Sequence, residues 1–322
     1  MKLTVTNLKY STIIAVGVAL AYSVNKLEGA ISPLFISMVL GLILVNTLGW
    51  GDQGKEAATF AAKRCLRLGV VLLGFQISID KFVEVGPRGL LAVVIIVTGV
   101  FLGLRFAARR AGLSDSLSTL IAGGFAICGA TAIAAISSTR KSEERDVSYA
   151  VAVVALCGTL SVFVIPFVAH LLSLSDATAG AWIGAAVHDV GQVIATASLM
   201  SPEALDSAVI VKLTRVVMLI PLILFLTAKS AEKKSLRSAT PTFVLGFVAC
   251  VLLVNALPLS DSTISLGKEL SKIFLSIGLF GMGLGVKWSS IKALGAKPLV
   301  IGLSAWVVCG IFALGVINIV GL

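Results

Sequence analysis

Long apolar blocks follow one another along this chain, separated by short polar connections. A helix needs about 20 apolar residues to cross the hydrocarbon core of a bilayer. Eleven blocks approach that length, at 10–24, 31–48, 66–79, 89–106, 117–137, 147–172, 179–200, 208–228, 241–257, 273–286 and 298–320. The pattern predicts an all-α polytopic membrane protein with about 9–11 membrane segments. No aqueous stretch exceeds a short loop, so one integral membrane domain is expected over 1–322, built from interleaved halves at about 31–172 and 173–322. The third and tenth blocks are short and glycine-rich. Lys2 and Lys9 precede the first block, and Ala19-Leu20-Ala21 has the small residues of a signal-peptide cleavage site. Because later blocks continue at the same rhythm, a retained first helix is expected.

Composition agrees with this pattern: 57% of residues are hydrophobic and only 13% charged, against about 25% charged in soluble domains. The net charge of +10 suits basic loops facing the cytoplasm. Nucleic acid is not the expected partner, because no basic patch is interleaved with aromatic residues for base stacking. Four of the five cysteines, Cys65, Cys128, Cys157, Cys250 and Cys309, lie in apolar runs, and no two have metal-ligand spacing. No metal or cofactor is expected. Neither HExxH, nor a P-loop, nor a nucleophile elbow is present, so the chain is not expected to be an enzyme.

The basic residues orient the chain. They gather at Lys55/Lys63/Arg64/Arg67, Arg105/Arg109/Arg110, Arg140/Lys141/Arg145, Lys229/Lys233/Lys234/Arg237 and Lys287/Lys292/Lys297. With eleven plain crossings and a cytoplasmic N-terminus, the C-terminus is outside, but the Arg140 loop faces the wrong way. If the fifth and seventh blocks re-enter on their own side, every basic loop becomes cytoplasmic. Broken or re-entrant backbone is tolerated where protein or water surrounds it. Full but broken helices are the rival reading.

Those two blocks also resemble each other. LSDSLSTLIAGGFAICGATAIAAIS from Leu113 aligns without a gap with LSDATAGAWIGAAVHDVGQVIATAS from Leu174. A weaker match joins the segments starting at Gly69 and Gly278. In the re-entrant topology both pairs are inverted, a recurring plan in secondary transporters. The alignment sets Asp189 against Cys128 and Gln192 against Thr131, so the tips of the broken helices are expected at 126–131 and 187–192. Ionisable groups inside a membrane are functional candidates. Cys128, Gly129, Thr131, His188, Gln192, Lys212 and Arg215 are the candidate substrate-binding residues, with His188 and Asp189 coupling ion movement. On a regular helix His188 and Asp189 point about 100° apart, so they cannot form a facing pair. Lys212 and Arg215, at spacing i, i+3, share a helix face and repel unless an anion lies beside them. That anion is expected to be Asp189 or a substrate oxyanion, unless Lys212 snorkels to the interface. On this view Arg215→Ala abolishes transport and spares folding.

CGATAIAAISSTRKSEERDVSYAVAVVALCGTLSVFVIP, GAWIGAAVHDVGQVIATA, VIVKLTRVVMLIP and KALGAKPL resemble the YeiH-like sulfate exporter family of bacterial inner-membrane proteins, from about Leu40 onward. The resemblance implies a multi-pass transporter of a small anion of the sulfate, sulfite or sulfonate class. The segment from Gly123 to Leu160 is also similar, more distantly, to the broken core helix of the bile-acid–sodium symporter and sodium–proton antiporter superfamily. That implies rocking or elevator motion, a proton or sodium as coupling ion, and a homodimer. The adjacent aspartates of electrogenic sodium–proton antiporters are missing. A cation–proton antiporter, and a membrane scaffold or sensor whose polar groups are internal glue, are the alternatives.

Overall fold

The computed structural model describes residues 5–28, 32–75, 79–139, 142–227, 242–287 and 296–321. Lys2, Arg140, Lys141, Lys229, Lys233, Lys234, Arg237 and Lys292, which carry part of the orientation argument, lie outside the described residues. In chain order the helices are α1 (Val5–Glu28), α2 (Pro33–Thr47), α3 (Lys55–Phe60), α4 (Leu66–Leu72), α5 (Ile79–Arg110), α6 (Asp115–Ala126), α7 (Ala130–Thr139), α8 (Glu144–Leu171), α9 (Asp176–Ala186), α10 (Val190–Ala197), α11 (Pro202–Val217), α12 (Leu219–Thr227), α13 (Thr242–Ala256), α14 (Asp261–Leu284) and α15 (Ala296–Val320). No strand occurs among the described residues, so the protein is all-α. Leu8–Leu27, Gly86–Arg110, Arg145–Leu171, Pro202–Leu226 and Leu299–Val320 are long and apolar enough to cross a bilayer. Val16, Phe167, Phe225 and Ile311 expose most of their apolar surface. Large apolar patches are rare on soluble monomers, whereas a bilayer covers them without cost.

The chain folds into two compact units, Met1–Lys81 with Thr242–Ser289, and Phe82–Pro241 with Ser290–Leu322. In the first unit α14 is the central element. It crosses α2 where a side chain at Gly41 would strike the Phe280 carbonyl and one at Gly283 the Met38 carbonyl. It crosses α4 in the same reciprocal way. A Cβ on Gly69 would lie 2.7 Å from the Leu275 side chain, and one on Gly278 would lie 2.7 Å from the Leu66 Cα. Gly69 and Gly278 open the weaker sequence repeat, so its two members pack on each other. Ile14 and Val18 of α1 join Trp50, Phe280 and Leu284 in the core.

Three expectations need correction. The basic run from Lys55 to Arg67 is helical, not a connection: α3 passes through a π-helical turn (Ala61–Cys65) into α4. The tenth block begins twelve residues early, at Asp261, where Ser260 caps the helix by accepting from the Thr263 N–H. Its first turns bury Gly267 and Ser271 and expose Glu269 and Lys272. Averaging hydropathy over all faces conceals such a one-sided helix. The eighth block divides at Met218, because Pro221 has no N–H to give the Val217 carbonyl.

In the second unit the two strong repeats start alike. Ser114 caps α6 by accepting from the Leu117 N–H (3.1 Å), and Ser175 caps α9 by accepting from the Thr178 N–H (3.2 Å). Asp115, in the first turn of α6, holds Arg105 at 2.9 Å and Arg109 at 3.4 Å. Gly180 and Gly184 let α9 press against Ala204 and Ala208 of α11. The indole of Trp182 donates to the Gly310 carbonyl (2.8 Å) and that of Trp306 to the Ser161 hydroxyl (2.7 Å), fixing α15 against α9 and α8.

Candidate ligand site at the broken helices

Both repeats break after their first helix. α6 ends at Ala126; Ile127 leaves helical geometry (φ −121°, ψ −88°) and Gly129 takes φ +64°, a conformation that disfavours any side chain. α7 resumes at Ala130. α9 ends at Ala186; Val187 and Asp189 are extended (ψ 143° and 147°), and α10 resumes at Val190. A Cβ on Gly129 would lie 3.7 Å from the Asp189 Cα, so the two breaks touch. Each break creates a helix C-terminus with orphan carbonyls and a helix N-terminus with orphan N–H groups.

The C-terminal ends are closed by two cations from α11. Arg215 donates to the carbonyls of Phe125 (2.8 Å), Ala126 (2.8 and 3.2 Å), Gly184 (2.9 Å) and Val187 (3.3 Å). Lys212 donates to Ile127 (2.7 Å) and Val187 (2.9 Å). Each side chain therefore ties α6 to α9. A helix C-terminus carries about half a negative charge, so two such ends offset about one cation. Lys212 does not snorkel; its side chain is fully buried. The anionic partner sought in Asp189 or in a substrate is supplied first by backbone. Sequence spacing could not reveal this, because the carbonyls belong to apolar residues.

The N-terminal ends differ. Asp189 caps α10, accepting from the Gly191 N–H (2.9 Å), and Gln192 accepts from the Asp189 N–H (3.3 Å), completing a capping box. The Gln192 amide also donates to the Ala155 carbonyl (3.1 Å) and the Thr159 hydroxyl (3.4 Å) of α8. Gly158 makes room for it: a Cβ there would overlap the amide. At α7 no carboxylate among the described residues plays the part of Asp189. Gly129 precedes its first turn, and the aligned Cys128 is a buried thiol that accepts weakly from the Ala132 N–H. Ala130 is exposed and Thr131 half-exposed, so this positive helix end is capped only in part and stays open at its first residues.

His188 and Asp189 lie in the extended break rather than on a helix, which corrects the expected 100° divergence. Successive side chains of extended backbone point to opposite sides. Accordingly His188 is fully buried and Asp189 half-buried. The imidazole packs on the Phe125 ring, with centroids 4.2 Å apart. Neither of its nitrogens makes a hydrogen bond of good geometry among the described residues, the Phe125 backbone being at most a weak partner.

The structure thus brings Cys128, Gly129, His188, Asp189, Gln192, Lys212 and Arg215 to one buried centre and puts Thr131 at its open edge. Phe125, Ala155, Gly158 and Thr159 join them and were not singled out in the sequence. Gly158, alone in the middle of an apolar helix, was the one available signal. Among the described residues no cluster of three His, Cys, Asp or Glu side chains is placed to hold a metal.

Residues 7–302 match the family described as Conserved hypothetical protein 698. The chain is 34% identical over 297 residues to a UPF0324 membrane protein of Corynebacterium glutamicum, covering 90% of this chain and 86% of that one. It is 36% identical over 299 residues to a UPF0324 membrane protein of Wolinella succinogenes, covering 90% and 89%. It is 34% identical over 310 residues to the UPF0324 inner membrane protein YeiH of Escherichia coli K12, covering 91% and 88%. No solved structure matches.

Proposed function

From the premise that the chain belongs to the Conserved hypothetical protein 698 family of membrane proteins, we propose that it is a secondary transporter. It exports a small anion of the sulfate, sulfite or sulfonate class across the inner membrane by alternating access. It moves its ligand without converting it, with the N-terminus cytoplasmic and the C-terminus outside. The observation that carries this reading is the meeting of two broken helices at one buried centre with an excess of positive charge. Lys212 and Arg215 contribute two positive charges and Asp189 one negative. The two helix C-termini and the two N-termini roughly cancel, at about half a charge each. About one positive charge is left over, beside an open helix N-terminus of the kind that binds oxyanions. The anion is held by the N–H groups at the start of α7 and the Thr131 hydroxyl, with Gly129 allowing close approach. Lys212 and Arg215 act at a distance, as potential rather than as ligands. Asp189, which leaves α10's N-terminus when protonated, couples proton movement, and His188 is the second proton carrier.

Thermal unfolding of the detergent-purified protein tests this reading. A ligand that binds only the folded state raises stability by mass action. The panel holds sulfate, sulfite, thiosulfate, taurine, phosphate, small carboxylates, sodium and lithium at two pH values. A saturable shift with one anion, lost in Thr131→Val, is expected. A shift with sodium alone, lost in Asp189→Asn, would replace the proposal with cation–proton exchange. No shift with any compound would favour a scaffold.

A further inference from the structure

A second feature of the Phe82–Pro241 and Ser290–Leu322 unit is a groove of 460 Å³ between α5 and α15. Its floor on α5 is the small-residue row Gly99, Gly103, Ala107 and Ala111, and Val300, Ser304 and Val308 of α15 face it. Phe312 closes one end: a Cβ on Gly99 would lie 2.8 Å from its ring. From Gly99 to Ala111 is twelve residues, about 18 Å along a helix. One leaflet of a bilayer is about 15 Å of hydrocarbon, so the groove is as long as one leaflet is deep. The groove's apolar lining and leaflet length suit a hydrocarbon chain, and the charge at its end separates a lipid from a helix of a second copy, which would bring an apolar face alone.

Its open end is cationic. Ala111 follows Arg109 and Arg110 at the end of α5. Asp115 is taken by Arg105 and Arg109. Arg110 is exposed and stacks over the Phe106 ring at 4.9 Å. The apolar slot gives a tail its length, and the basic rim selects the charge of its headgroup.

We propose that this groove is a binding site for an anionic phospholipid, one acyl chain lying along Gly99–Ala111 and the phosphate-bearing headgroup against Arg110. The site is distinct from the broken-helix centre, with Cys309 of its lining within electrostatic reach of Arg215. Native mass spectrometry of the purified full chain, titrated with dioleoyl phosphatidylglycerol or dioleoyl phosphatidylethanolamine, measures it. Retention of phosphatidylglycerol is expected to exceed that of phosphatidylethanolamine and to lose its advantage, about five-fold, in Arg110→Gln, one basic contact being worth about that factor. High ionic strength should erase the same preference. Gly103→Leu should reduce retention of both lipids. A Cβ at Gly103 meets nothing within 4 Å, so this variant fills the groove without disturbing packing. Ala107→Phe, also on an exposed position, repeats the test at a second site. Equal retention of the two lipids by the wild type would overturn the proposal. So would lipid retention unchanged by both groove-filling variants, or a dimer that dissociates when the groove is filled.

Discussion

Removing Arg215 is the perturbation that separates a ligand-binding arginine from one that holds the fold. The guanidinium makes contacts of 2.8–3.3 Å with the carbonyls of Phe125, Ala126, Gly184 and Val187, and its side chain is 1% exposed. Val187 keeps Lys212 when Arg215 is lost. Phe125, Ala126 and Gly184 then lose this partner in a buried place. A buried polar group left unsatisfied costs about 1–3 kcal/mol. Three of them, with some relaxation, cost about 3–6 kcal/mol, a large share of the 5–15 kcal/mol typical of a folded domain. Arg215→Ala adds a cavity; Arg215→Met keeps most of the volume and isolates the carbonyl contribution. Both should lower the apparent Tm of the ligand-free protein in detergent, by roughly 10 °C, with Arg215→Lys intermediate. Lys212→Met, which strips only Ile127 of its cation, should cost less. The structure therefore replaces the expectation that Arg215→Ala spares folding. An Arg215→Met protein with the wild-type Tm and no transport would refute the reasoning and return Arg215 to the ligand.

Other consequences concern the N-terminal ends of the broken helices. Gly158→Ala drives a methyl group into the Gln192 amide; it should cost about 1–2 kcal/mol through the lost hydrogen bonds and slow transport, and Gln192→Ala, which loses the same bonds, should add little to that cost in the double variant. Asp189→Asn keeps a good N-cap and should change stability by less than about 0.5 kcal/mol, whereas Asp189→Ala loses about 1 kcal/mol; both should remove the pH dependence of transport. A cysteine at Thr131 should react with a water-soluble thiol reagent and be protected by the transported anion, while native Cys128, fully enclosed at 2% exposure, should not react.

The sequence carried the helix breaks well. Glycines at 123, 124 and 129, and polar residues at 188, 189 and 192, were readable as departures from an apolar run, and the tips expected from the gapless repeat, 126–131 and 187–192, enclose the observed breaks at 127–129 and 187–189. The N-caps Ser114 and Ser175 were visible as the shared Leu-Ser-Asp start. What stayed hidden were partners that have no signature in residue type. The carbonyls of Phe125, Ala126 and Ile127 become acceptors only because a break orphans them, so the role of Lys212 and Arg215 could not be read from their spacing. Amphipathic helices were the other loss. Residues 55–65 and 261–272 alternate polar and apolar faces, and a search for uniformly apolar spans passes over them. The assignment of Phe125 to the His188 ring required the two breaks to meet, which no local pattern encodes.

On this reading the crossing of the broken helices carries an anion through the membrane. Flux of radiolabelled sulfate, sulfite and a small sulfonate into proteoliposomes of the purified protein tests it most directly, with Thr131→Cys assayed before and after alkylation. Saturable flux of one of these anions is expected, competed by its unlabelled form, responsive to a proton gradient and blocked by alkylation at residue 131. Flux no greater than in protein-free vesicles for every anion, from protein shown to be folded, would contradict it.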